Sequence, residues 1–213
     1  MKNNNIVSII MDTYYRPAML KNAYEAIASQ TYEKLEIILI NNGATPETIE
    51  YLNEVNSKDK RVKLINYTEN QFSWDEPTKM IRVCLNDALN QSCGDLIWYQ
   101  ADDDYIASDY IERMVLLFEG NSECITAAGL PIGVEKNGEI IEGIRVTNYR
   151  PRYMPGHVLA TDTLNHHSSR NSTMFGAPGS IFTIKKEFLL KAGGFHSALE
   201  ISQLYGIVPF GVT

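Results

Sequence analysis

Asp102, Asp103 and Asp104 stand side by side at the end of a short apolar run, Leu96-Ile97-Trp98-Tyr99. The run reads as a buried strand, so the carboxylates fall at a strand terminus, and Ser108-Asp109 then open a helical pattern from Tyr110 to Phe118. Acids packed this closely repel one another, and a positive partner is expected among them. Hard oxygen ligands of this type suit Mg²⁺ or Mn²⁺, an ion commonly shared with substrate phosphates. The other reading is a solvated acidic turn that caps the next helix.

Other side chains carry two readings each. Arg82 lies in the middle of a helical pattern, where it either approaches a base or phosphate or is a solvated, ion-paired arginine. His166-His167 is a ligand pair or a plain loop pair, and no second metal-ligand cluster accompanies it. Trp74 and Trp98 either stack a sugar or pack the core, and the position of Trp98 inside a strand favours the core. Asn41-Asn42-Gly43 is by itself a common turn.

The elements that position these residues follow from the apolar periodicity. Ile6 to Met11, Leu35 to Ile40, Arg61 to Ile65 and Leu96 to Tyr99 read as strands. Between them lie helices: one from Pro17 to about Gln30, one that starts at Thr45-Pro46, and one from about Glu76 to Asn90 with Met80, Ile81, Cys84, Leu85, Ala88 and Leu89 inward. Strands alternating with single helices imply right-handed βαβ units, hence an α/β fold with a mainly parallel, Rossmann-like central sheet and helices on both faces. Ligands in such sheets bind beyond the carboxyl ends of the strands. Three polar turns converge there: Thr13 to Arg16, Asn41 to Gly43, and Asp102 to Asp104. After residue 124 the pattern changes. Ile125 to Ala128 reads as a strand, Val134 to Ile141 as a hairpin around Asn137-Gly138, and residues 147–180 as a long loop. Ile181 to Ile184 is a short strand, and Lys185 to Ala192 a helix ending at Gly193-Gly194. The expected division is a nucleotide-binding half over 1–124 and a smaller hairpin and loop region over 125–213.

Composition narrows the function. The chain has 213 residues and a net charge of −7, which argues against a nucleic-acid surface. No uncharged run reaches the length of a membrane span, and the first residues lack a signal-peptide core. Cys84, Cys93 and Cys124 have no paired spacing and read as reduced thiols of a cytoplasmic protein.

Val7 to Pro17, Ala28-Ser29-Gln30-Thr31-Tyr32, Leu35 to Thr45, the acidic triplet with Ser108-Asp109, and Gly193-Gly194-Phe195 occur in an order that resembles the family-2 glycosyltransferases. These are inverting enzymes of the GT-A fold that use nucleotide-diphospho-sugar donors. The resemblance implies that Thr13 and Tyr14 line the nucleotide pocket, with Asp102 on the same ligand; Arg82 is assigned to that ligand on its own reading as a side chain that approaches a base or phosphate. Asn42 falls where many members have an Asp that accepts the uracil N3–H; an Asn carbonyl accepts the same bond without the charge. The resemblance further implies Asp103 as the ligand of Mn²⁺ or Mg²⁺ and Asp104 as the residue that orients Asp103 or the donor sugar. Glu200 is the one acid shortly after the Gly-Gly-Phe turn, which makes it the implied general base; it is otherwise a surface carboxylate. A UDP-sugar donor and a glycan or lipid-linked glycan acceptor follow, in polysaccharide or glycoconjugate synthesis.

Two rivals fail on single residues. A sugar-nucleotide pyrophosphorylase wants glycines after the first strand, and Thr13 to Pro17 has none. A calcium loop wants glycine where Ala107 stands. A third alternative stands: a degenerate or truncated member that binds nucleotide or glycan without turnover. Ile201 takes the place of a second acid, and the chain stops at Thr213 after an apolar segment from Tyr205 that is a candidate surface for homodimer pairing.

Overall fold

A computed structural model describes residues 5–76, 79–129, 139, 153, 155 and 182–195. The expected hairpin (save Glu139), His166-His167, Glu200 and the apolar tail lie outside them. The elements run β1 (Val7–Thr13), α1 (Pro17–Ala28), β2 (Leu35–Asn42), α2 (Pro46–Lys58), β3 (Val62–Tyr67), a π-helical turn (Ile81–Leu85) continuing into α3 (Asn86–Gln91), β4 (Leu96–Tyr99), α4 (Tyr110–Gly120), β5 (Thr126–Ala128), β6 (Phe182–Lys185) and α5 (Lys186–Lys191). They build one sheet in the order β3-β2-β1-β4-β6-β5. β3, β2, β1 and β4 are parallel, whereas β6 runs antiparallel to both β4 and β5. β5 and β6 thus extend the same sheet.

Every residue of β2 is buried because both faces of the sheet are covered. On one face Val7, Ile9 and Met11 pack with Leu20 and Ile27 of α1, Leu52 and Val55 of α2, and Ile111, Val115 and Phe118 of α4. On the other, Ile10, Ile38, Ile40 and Ile97 meet Cys84, Leu85, Ala88 and Leu89, with Leu189 of α5. The alternation of Ile9 and Ile10 between the two clusters is the period-2 geometry of a strand. Trp98 is buried and packs edge-on against Tyr110, their ring centroids 4.3 Å apart. Trp74, by contrast, is 88% exposed.

Two local details differ from the sequence reading. The helix expected from Glu76 to Asn90 includes the π-helical turn, which a 3.6-residue apolar period does not distinguish from α-helix. Thr45 holds the cap position of α2, but its hydroxyl pairs with that of Thr48 at 3.0 Å instead of a backbone N–H.

A buried carboxylate ties the amino-terminal side of the sheet together. Glu36 of β2 accepts from the Ser8 hydroxyl of β1 and from the Cys93 N–H at 2.8 Å, and pairs with Lys63 of β3 at 2.5 Å. Burial alone would raise its pKa, but Lys63, Ser8 and Cys93 together hold it at about 2, below the ordinary 4.5. A depressed folded-state value means that this stability is present above 4.5 and is lost as the pH falls toward 2. After discount for the half-exposed Lys63, Glu36→Gln should cost about 2 kcal/mol near neutral pH. In chemical unfolding the gap between wild type and variant should close on acidification through that window; a pH-independent gap would exclude the pairing as its source.

Candidate functional site

The parallel pairing of β1 with β4, Ile9 against Trp98 and Ile10 against Tyr99, delivers the ends of both strands to one point on the sheet edge. There the Thr13 hydroxyl donates to Asp102 Oδ2 at 2.8 Å. Arg16, in the turn before α1, spans the two acids beyond β4. One guanidinium nitrogen reaches Asp103 Oδ2 at 2.5 Å and the other engages Asp102 Oδ1. Asp102 is 4% exposed and Asp103 41% exposed, so the first is anchored in the wall and the second stands at the rim. Beneath them the Tyr99 hydroxyl donates to Asp12 Oδ1 at 3.0 Å.

The turn that carries the acids is held from below. Buried Gln100 donates through Nε2 to the carbonyls of Ala101 and Asp104, at 3.1 and 2.8 Å. Its own N–H donates to Ile10 O at 2.9 Å, which locks the turn to β1. Gln30 fixes the following segment: its Nε2 donates to Ala107 O at 2.8 Å and its Oε1 accepts the Ile111 N–H at 3.0 Å. The Gln-Thr pair after α1 is therefore a clamp on the start of α4, completed by Thr31 N–H to Ser108 O at 2.9 Å.

Charge is in excess here. Burial raises the pKa of Asp102, opposed by the Thr13 hydrogen bond and by Arg16, and burial raises Asp12 despite the Tyr99 hydroxyl. Three carboxylates thus face one guanidinium. Among the described residues no group of three His, Cys, Asp or Glu side chains is arranged to hold a metal ion by itself. A rim carboxylate beside a buried one does fit Mg²⁺ or Mn²⁺, which take one or two carboxylates and complete their shells with water and phosphate oxygens.

The other expected residues among those described are placed as follows. Tyr14 is 41% exposed, beside Thr13. Asn42 is buried, and its Oδ1 accepts the Gln71 N–H at 2.8 Å, tying the loop after β3 to the end of β2. Gly43 has φ +62°, and a Cβ there would lie 2.4 Å from Asn70 N, so this close approach requires glycine. Arg82 pairs with Glu76 at 2.7 Å. Asp104 is half-buried beside Asp103. Asp12, Tyr99 and Gln100 escaped the sequence reading. For Arg16 that reading gave its converging turn and the demand for a cation near the acids, without joining the two.

The Gly193-Gly194-Phe195 turn is seated against the π-helical segment. Asn86 Nδ2 donates to Phe195 O and to Arg82 O, both at 2.9 Å, and Asn86 Oδ1 accepts the Phe195 N–H at 2.7 Å. Arg82 and the turn thus share one amide as their common support.

The model of the family described as glycosyl transferase family 2 matches residues 8–189. An uncharacterized glycosyltransferase of Haemophilus influenzae is 35% identical over 143 residues, which cover 66% of this chain and 42% of that protein. The chain spans less than half the length of the curated relatives it matches. Among solved structures, the mannosyltransferase PcManGT of Pyrobaculum calidifontis, in complex with GDP-Man and Mn²⁺, superposes with a TM-score of 0.60 at 17% identity, over 92% of this chain and 48% of that one. The structure of S. aureus TarS in complex with UDP-GlcNAc gives 0.59 at 14% identity, over 90% and 48%. At these identities the likeness concerns the fold, here the GT-A fold.

The turn at Gly194 is open to a direct check. Its φ is +92°, and a Cβ would lie 2.3 Å from Asn86 Oδ1. Gly194→Ala should therefore destabilise the protein by about 2 kcal/mol or more, measured by denaturant titration. Asn86→Ala should lose a comparable amount by stranding the Phe195 groups. The double variant should lose less than the sum, because both act through the same seat.

Proposed function

The chain belongs to glycosyl transferase family 2, and from that premise we propose that it transfers a sugar from a nucleoside-diphosphate donor, UDP-sugars favoured, to a hydroxyl of a glycan or lipid-linked glycan, inverting the anomeric carbon. The observation that carries this reading is the convergence of Thr13, Asp102 and Asp103 at one strand-end edge, with Tyr14 and Asn42 beside them. Nucleotide sugars in the two solved relatives support the donor class.

In the proposed transfer the acceptor oxygen bonds to the anomeric carbon from one face as the bond to the diphosphate breaks on the other. The electron pair of that bond leaves on the diphosphate. Glu200 takes the proton of the acceptor hydroxyl. Asp103, with Asp102, would hold Mn²⁺ or Mg²⁺, which when bound would offset the charge of the departing diphosphate. The Thr13 hydroxyl fixes the orientation of Asp102, so that its remaining acceptor capacity faces the donor. Tyr14 offers a half-exposed ring to the nucleoside. Asn42 and Arg82 complete the nucleotide contacts, and Asp104 orients Asp103 or the donor sugar. Free Cys84, Cys93 and Cys124 suit work in the reducing cytoplasm.

Isothermal titration with UDP, GDP and dTDP, each with and without Mn²⁺, tests the donor site. One nucleotide should bind in a Mn²⁺-dependent manner, and Asp103→Asn should weaken that binding by at least about tenfold. Glu200→Gln should leave nucleotide affinity intact while kcat falls by about 10²–10⁴. Absence of binding by all three nucleotides in either metal condition would leave a degenerate member of the family instead.

A further inference from the structure

The two carboxylates assigned to the divalent ion are already spoken for by one side chain. Arg16 bridges them, at 2.5 Å to Asp103 and in direct contact with Asp102. A guanidinium and a divalent cation compete for such oxygens, since both carry positive charge and an ion must approach its carboxylate to about 2.0–2.1 Å. We propose that Arg16 is an exchangeable counter-cation, which holds Asp102 and Asp103 until the donor's diphosphate offers it a second anionic partner, so that the divalent ion enters together with the nucleotide. The proposal rests on the reading that Asp103 carries the ion.

Four features equip Arg16 for the exchange. Its planar fork matches carboxylate and phosphate equally well, so that moving from one to the other replaces charge-assisted bonds with similar ones. The side chain is 36% exposed, at the lip of the site and not sealed inside it. Its backbone is fixed by Pro17 at the start of α1, while Arg16 O accepts the Leu20 N–H at 3.0 Å, so the movement needs only side-chain rotation. The ring of Tyr15, 5.9 Å from the guanidinium carbon, gives the cation an aromatic neighbour. The exchange leaves the net charge of the site nearly unchanged, because the ion's positive charge arrives with the negative charge of the diphosphate. Arg16 partly offsets the acids before the donor arrives; afterwards the ion faces the carboxylates and Arg16 faces the diphosphate. Linkage then requires nucleotide to raise the affinity for metal by the same factor as metal raises the affinity for nucleotide.

The test is titration of the full chain with Mn²⁺, in the absence and presence of UDP or GDP, for wild type, Arg16→Gln and Arg16→Lys, with a thermal melt of each. Wild type should bind Mn²⁺ alone weakly, and nucleotide should raise that affinity on the order of 5–150-fold. Arg16→Gln should bind Mn²⁺ alone at least about tenfold more tightly than wild type, with a smaller nucleotide effect. Arg16→Lys, which keeps the charge without the fork, should lie between them. If Arg16→Gln melts as an unfolded chain, Arg16→Lys decides by the same comparison. Unchanged Mn²⁺ affinity and an unchanged nucleotide effect in the folded variants overturn the exchange while leaving the donor site intact. Failure of wild type to bind Mn²⁺ even with nucleotide overturns the donor-site reading itself.

Discussion

Three carboxylates brought to one strand-end edge are the constraint that organises this molecule. Asp12, near the end of β1, and Asp102 and Asp103, in the turn after β4, are about 90 residues apart in the chain, yet the parallel pairing of β1 with β4 brings them to one edge. Repulsion among them, added to the burial of Asp12 and Asp102, would open the edge unless each had a partner. The fold supplies Tyr99 for Asp12, Thr13 and Arg16 for Asp102, and Arg16 again for Asp103. Arg16 thus leaves the cluster with an excess of negative charge, which opposes the approach of a polyanion unless cations accompany it.

Around this cluster the supporting side chains are buried or half-buried amides. Gln30 clamps the start of α4, Gln100 the acidic turn, Asn42 the loop after β3, and Asn86 the Gly-Gly-Phe turn. An amide suits this work because it donates and accepts at once and carries no charge to disturb the acids nearby. Each joins segments that the sheet alone does not connect. Position in the site thus depends on the amides, and stability draws on the two apolar clusters, on the seat that Asn86 provides and, at the opposite end, on the Glu36–Lys63 pair.

Much of this was legible in the chain. Four apolar runs of strand length separated by helical periods implied parallel pairing, and the sheet has it. The strand position of Trp98 correctly placed it in the core, and the acidic triplet announced a cation. The identity of that cation was not legible, because Arg16 and Asp102 are a contact between turns far apart in sequence, and nothing local distinguishes Arg16 from a solvated arginine. The π-helical turn was hidden for the opposite reason: its apolar pattern is the one an α-helix would show. Glu200 remains an inference from its place after the Gly-Gly-Phe turn.

Asn42 shows how one substitution redistributes roles. In the family pattern an aspartate at this position offers its charge to the base. Here the amide oxygen accepts the Gln71 N–H, and the Cys84 thiol approaches it at 3.9 Å. A carboxylate in that buried place would meet an undiminished desolvation cost, whereas the amide sits there neutral. The two lone pairs of the carbonyl are met by the Gln71 N–H and, at longer range, by the Cys84 thiol. The orientation of the Asn42 amide therefore couples to the loop after β3, because Gln71 holds its oxygen. Gly43, which lets Asn70 approach so closely, holds that loop against the end of β2 while Phe72 and Trp74 further along it stay exposed.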